Sequence, residues 1–201
     1  CNTVPILSHL ACASQPDSTA NKKQLELLNQ VSQQYNTEFS FCNSAAIVNF
    51  PTHHFDFIRP GISLYGIGPH PDLKPVMTLQ AQLIAIKNMK KGQAIGYGHR
   101  YHCNEDKSIG IVSLGYGDGY PQNAPCSTPT LLNGKRCPIV GQVSMDMMTI
   151  DLDPCRDAKV GDWVTLWGEG LPVSTIAEHT HSSAYELATR VQNRVAFEWL
   201  D

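Results

Sequence analysis

No apolar run in this chain approaches the roughly 20 residues that a membrane-spanning helix needs. Charge is scarce as well: 16% of the 201 residues are Asp, Glu, Lys or Arg, and the net charge is −3. No basic stretch exceeds a few residues, so neither nucleic acid nor a membrane surface is an expected partner. The seven cysteines include no C-x-x-C pair. Cys1, Cys12, Cys42, Cys103, Cys126, Cys137 and Cys155 are scattered through apolar and loop contexts, and read as reduced thiols of a cytoplasmic protein. His99, His102 and Cys103 are the only cluster of metal-ligating types, but neighbouring ligands on one loop are more often incidental, and no metal is expected. Internal repeats and a signal-peptide pattern are missing too. The first residue is Cys1, and the pattern starts in mid-course, which predicts a preceding segment.

What is present is an ordinary globular composition, 42% hydrophobic, long enough for one large or two small domains. The first 72 residues alternate strand and helix. Val4 to Ala11 reads as a short buried strand, and Lys22 to Tyr35 as a helix with Leu25, Leu28 and Val31 on one face. Glu38 to Cys42 reads as a second strand. Asn43 and Ser44 stand in an N-cap role before a short helix, Ala45 to Phe50. Ile62 to Ile67 reads as a third strand. Such alternation marks a parallel sheet. A closed (β/α)8 barrel needs roughly 250 residues, so this part is expected to be the last strands and helices of such a barrel.

Three prolines between Pro69 and Pro75 mark a linker. Beyond it, from residue 73 to 201, the pattern is that of a small β-rich domain. Strands are expected over Met77–Ile86, Ile109–Leu114, Thr130–Leu132, Pro138–Val143, Met147–Leu152 and Trp163–Leu166. Asn133-Gly134 is a strong hairpin signal. Helices are expected over Val173–His179 and Ser183–Val195, with Ser174 and Ser182 or Ser183 as caps.

Taken singly, most polar residues here have bland readings. Ser44 passes for a plain cap, Gly61 for a turn residue, His9 for a satisfied histidine at a strand end and Tyr185 for a core aromatic. Arg59 passes for half of a surface ion pair. Gly115-Tyr116-Gly117-Asp118-Gly119 could be a surface loop, although alternating glycines also mark positive φ or close backbone approach.

Taken together they are less bland. The stretches NSAAIVN (43–49), RPGISLYG (59–66), SLGYGDGYP (113–121), LLNGKRCPIVGQVSMDMMTIDL (131–152), GDWVTLWGEG (161–170) and AYELATRVQNRV (184–195) resemble, in order, the C-terminal portion of alanine racemase. The resemblance implies an isomerase dependent on pyridoxal 5'-phosphate (PLP) that interconverts L- and D-alanine by two bases, working as a homodimer in the bacterial cytoplasm and supplying D-alanine for peptidoglycan.

By that resemblance Tyr116 is one base, reaching the active site of a partner subunit. Ser44, Gly61, Ile62 and Tyr185 hold the phosphate, His9 lies against the pyridine ring, and Arg59 meets the pyridine nitrogen. A guanidinium only donates hydrogen bonds, so Arg59 discourages protonation of that nitrogen and tunes the cofactor. Met145 contacts the substrate carboxylate. The family's PLP lysine motif has no counterpart here, which predicts that it lies upstream and that this chain alone is inactive. Gln122 and Gln142 stand where the family commonly has arginine. They leave open a broad-specificity racemase, and the missing lysine leaves open a fragment that serves only as a dimerisation module.

Overall fold

The computed structural model describes residues 4–68 and 70–200; Cys1 and the linker's Pro69 lie outside the described residues. The chain divides into two compact units, Cys1–Val76 and Met77–Asp201.

The first unit is built on a parallel sheet of three strands, β1 (Ile6–Leu7), β2 (Phe39–Asn43) and β3 (Phe57–Arg59), in that order. Helix α1 (Thr19–Gln34) joins β1 to β2, and the six-residue α2 (Ser44–Asn49) leads on towards β3. In β2, Phe39, Ser40, Phe41 and Cys42 are all buried, so both faces of the central strand are covered, as parallel sheets require. The core packs Leu25 and Leu28 of α1 against Phe39, Phe41 and Ala46, with Leu10 and Ala13 from the loop after β1.

Three expectations need correction here. Helix α1 begins at Thr19, three residues before Lys22, because Ser18 is extended and ends the loop. The expected buried strand at Val4–Ala11 shrinks to two residues, of which Leu7 is exposed while Leu10, beyond the strand, is buried. Ile62–Ile67 is not a strand: Phe57–Arg59 takes that place, and Gly61–Tyr65 is a 3₁₀ turn. Pro60 supplies no ladder N–H, and a short apolar run cannot by itself be told from a turn.

The second unit holds a six-stranded antiparallel sheet. Its strands are β4 (Leu79–Met89), β7 (Lys107–Val112), β8 (Pro129–Leu132), β9 (Lys135–Pro138), β10 (Met148–Asp151) and β11 (Trp163–Trp167), in the order β10-β7-β4-β11-β8-β9. A separate small hairpin, β5 (Ala94–Ile95) with β6 (Tyr101–His102), has no strand signal in the sequence. Asn133 and Gly134, both at positive φ, form the two-residue turn between Leu132 and its partner Lys135. Beyond β9 the chain bridges Ile139 to Ile150, and Val140 N–H donates to Thr149 O at 2.9 Å, so the sheet bends back on itself towards a barrel.

The strand expected over Pro138–Val143 is therefore displaced: ladder pairing ends at Pro138, and Gly141 turns the chain away with φ 75°. Helix α3 (Val173–Thr180) starts behind Pro172, so Ser174 lies inside it and is no cap. Helix α4 (Ala184–Arg190) is capped by Ser183, whose hydroxyl accepts Glu186 N–H. It stops five residues short of Val195, and Val191–Leu200 has no regular structure. Among the described residues no helix is long and apolar enough to cross a membrane.

Candidate active site

Three parallel strands deliver their ends to one edge of the first unit. Ser8 and His9 follow β1, Asn43 and Ser44 close β2, and Arg59 closes β3. The carboxyl edge of a parallel sheet is where α/β folds place ligands. Arg59 spans all three strands. One terminal nitrogen donates to Ser40 Oγ at 2.6 Å, and the other donates to Ser8 O at 2.7 Å and lies 3.5 Å from His9 Nδ1.

Asn43 fixes the histidine from the far side. Its Oδ1 accepts Ala46 N–H, as an N-cap should, and this turns Nδ2 towards His9 Nε2 at 2.9 Å. An amide nitrogen only donates, so Nε2 is the acceptor of that contact. Cys42 sits beneath as a fully buried residue whose Sγ donates to His53 O. Burial pushes its thiol above the usual range, against a smaller opposing pull from Arg59, so it has no nucleophilic character.

Asn43, not Ser44, is the cap of α2; Ser44 is its first helical residue. The Ser44 hydroxyl is buried and accepts Ser63 N–H at 3.2 Å. Ser63 belongs to the 3₁₀ turn that Gly61 and Ile62 open. The fold thus brings Ser44 together with the Gly61–Ile62 turn, and His9 together with Arg59, along one strand edge. Lys22 and Lys23 project from α1, exposed, and Lys74 is exposed beyond the turn.

Tyr116 belongs to the second unit. It is half-buried and opens a 3₁₀ turn, Tyr116–Asp118, in the loop after β7. This turn lies along the segment Ser144–Met145: Tyr116 N–H donates to Ser144 O at 3.0 Å and Gly117 N–H to Met145 O at 2.8 Å. The approach demands glycine at 115, where a Cβ would sit 2.2 Å from Ser144 O. Gly119 meets both conditions for glycine, with φ 105° and a would-be Cβ 2.1 Å from Arg190 O. Behind the turn, buried Tyr120 stacks on Trp167 with centroids 5.7 Å apart, and burial pushes its phenol well above the ordinary range.

Met145 is exposed and is engaged through its carbonyl. Tyr185, in the first turn of α4, is 52% exposed, which removes the bland reading of a core aromatic. Gln122 is exposed and Gln142 half-buried. Among the described residues no three His, Cys, Asp or Glu side chains gather as a metal site.

Sequence reasoning missed one group. Arg194 Nε donates to Asp118 Oδ1 at 2.7 Å, and a terminal nitrogen donates to Asp146 Oδ1 at 2.6 Å. Both carboxylates hold the guanidinium proton still more firmly than usual. The only sequence signal was the placing of one aspartate two residues after Tyr116 and another directly after Met145. Nothing local pairs them with an arginine 76 and 48 positions further along the chain.

Comparison with known proteins decides the lineage. The family described as alanine racemase, C-terminal domain, matches residues 76–199, and the alanine racemase N-terminal domain matches residues 1–69. The chain belongs to the alanine racemase family. It is 47% identical over 206 aligned residues to a biosynthetic alanine racemase of Escherichia coli O6:H1, covering 98% of this chain and 57% of that protein. An alanine racemase of Shigella boydii is 46% identical over the same shares. Among solved structures, biosynthetic alanine racemase from Pseudomonas aeruginosa superposes with a TM-score of 0.91 at 41% identity, over 95% of this chain and 55% of that one. The Bartonella henselae alanine racemase, described with covalently bound pyridoxal phosphate, gives 0.86 at 34% identity, over 94% and 55%. The chain therefore spans a little over half the length of the alanine racemases it matches.

Proposed function

We propose that this chain is the C-terminal portion of a PLP-dependent alanine racemase, in which residues 1–72 finish a PLP-binding (β/α)8 barrel and residues 73–201 form the C-terminal β domain. The observation that carries this reading is the glycine-bound turn of Tyr116, fastened through two backbone hydrogen bonds to Ser144 and Met145. Such a turn presents a proton-transferring phenol from a fixed backbone.

The residues present fit the cofactor. Ser44 and the start of the Gly61–Ile62 turn offer a hydroxyl and backbone N–H groups suited to a phosphate, and Tyr185 adds a phenol. Arg59 offers a donor held at two points, and His9 an imidazole ring beside it. When bound, PLP would supply the electron withdrawal that acidifies the α-proton. Arg59 limits that withdrawal, because it brings a donor and no transferable proton to the pyridine nitrogen. Tyr116 takes or returns the α-proton on one face of alanine, and the second base of the scheme is not among this chain's residues. Met145 meets the substrate carboxylate.

The same reading makes the enzyme a homodimer in which Tyr116 of one copy serves the PLP site of the other. It places the protein in the bacterial cytoplasm, in keeping with the six free cysteines among the described residues. The test is α-proton exchange of L-alanine in deuterated buffer, using the full-length protein with PLP. Exchange with racemisation is expected; PLP bound without any exchange would end this reading.

A further inference from the structure

We propose that Arg194 is a positioning residue that clamps the tyrosine turn to the Met145 segment; the proposal rests on the racemase reading above. The guanidinium stands between two loops distant in sequence. Asp118 closes the turn on itself, with Oδ2 accepting Gly115 N–H at 2.8 Å and Oδ1 accepting Arg194 Nε at 2.7 Å. On the other side one Arg194 nitrogen reaches both Asp146 Oδ1 at 2.6 Å and Met145 O at 3.4 Å. The rest of its segment is seated on the same turn: Gln192 N–H donates to Asp118 O at 3.0 Å, and Gly119 lies against Arg190 O. One planar fork thus fixes the relation between the residue that moves the proton and the residue that meets the carboxylate. A lysine, as a point charge, could not hold both carboxylates in that geometry.

The arm to Asp146 is exposed, with the Arg194 side chain 46% and that of Asp146 59% exposed, and such a pair is worth little in water; the Asp118 side chain is only 15% exposed, so its pairing counts for more. Their effect is local. The turn contacts Ser144–Met145 through only two backbone hydrogen bonds, and misplacing a reacting group by about 1 Å can cost roughly 100-fold in rate.

The test uses full-length protein in two forms. In the PLP-free form, Arg194→Ala is expected to speed amide hydrogen exchange at Tyr116 and Gly117 by at least about 10-fold, as local opening loses its brake, while the β7 amides of Ile109–Val112 do not change. In the PLP-loaded form, deuterium exchange from L-alanine should fall about 10- to 100-fold. Exchange from D-alanine should fall less, and Arg194→Lys should recover only part of the loss. Asp146→Asn, which removes one arm and leaves the guanidinium, should show the same pattern more weakly and serves if Arg194→Ala does not fold. Unchanged amide exchange at Tyr116 and Gly117 in these variants, or equal loss of L- and D-alanine exchange, would overturn the clamp. A wild-type protein inert towards alanine would instead overturn the racemase reading, and the amide exchange would still decide whether the clamp exists.

Discussion

The two units place their chemistry by different means. In the first, the candidate residues sit at the ends of adjacent parallel strands, and the register that pairs Asn43 with Arg59 already sets them side by side. Short side-chain contacts, Arg59 to Ser40, Ser8 and His9, then complete the arrangement. In the second, Tyr116 sits on an irregular turn outside the sheet. It is located by backbone contacts to a loop about 28 residues on and by an arginine from beyond the last helix. Strand ends inherit the rigidity of the sheet, whereas a turn has to be fastened from outside.

The largest expected effect breaks the second arrangement at its centre. Tyr116→Phe should lower deuterium exchange from L-alanine by about 100-fold or more, within the usual range for general acid–base catalysis, and D-alanine exchange by less. Nuclear magnetic resonance of both substrates in deuterated buffer reads the two, and equal losses would contradict a two-base scheme.

Next comes Gly115→Ala, which drives a Cβ into Ser144 O and so attacks the fastening and spares the phenol. Racemisation should drop about 10-fold or more, in the manner of a misplaced group, with a melting temperature lowered by a few degrees. A fully active and fully stable variant would show that the turn needs no such contact.

The matching test on the first unit is Arg59→Lys, which keeps the charge and loses the fork across Ser8 and Ser40. Loss of racemisation by roughly 10-fold is expected, accompanied by slow release of up to one pyruvate per bound PLP, the amino group of alanine being left on the cofactor, as control of the cofactor weakens. Unchanged turnover without pyruvate would show that the strand-end arrangement is not used.

The smallest effect compares buried thiols across the two units. Burial, helped by Cys155 and Asp151, pushes the Cys137 thiol up to about 12, and burial also raises Cys42. The folded thiol stays protonated while the unfolded one ionises above about 8.5. The associated stability is therefore whole below that pH and is lost as pH climbs towards 12, at no more than about 1.4 kcal/mol per pH unit and per thiol. Urea unfolding of wild type and Cys137→Ala at pH 8 and pH 10 measures it, and the variant should lose less. Identical losses would mean that Cys137 ionises as freely folded as unfolded.

Much of this was legible beforehand, where the signal is local. Helical periodicity disclosed α1, Asn133-Gly134 the β8–β9 hairpin, and alternation of strand and helix the parallel sheet. The misreadings fall where short apolar runs carry no period. Ile62–Ile67 looks like a strand but turns at Pro60-Gly61, and Pro138–Val143 looks like one strand although its ladder stops at Pro138 and leaves a single bridge at Ile139. The β5–β6 hairpin, two residues to a strand, leaves no alternation to find.

The sequence by itself determined the family, the order of elements and the residue types available for chemistry, because motifs, turn glycines and hydrophobic periods are written within a few neighbours of one another. It also marked Tyr116, Arg59, His9 and Ser44 before any coordinates. Only the tertiary structure decided what holds them: that Asn43 orients His9, and that Arg194 binds Asp118 and Asp146 together. These are pairings between segments 34, 48 and 76 residues apart. No local preference encodes them, since a hydrogen bond depends on where folding brings two side chains and not on what stands beside either in the chain.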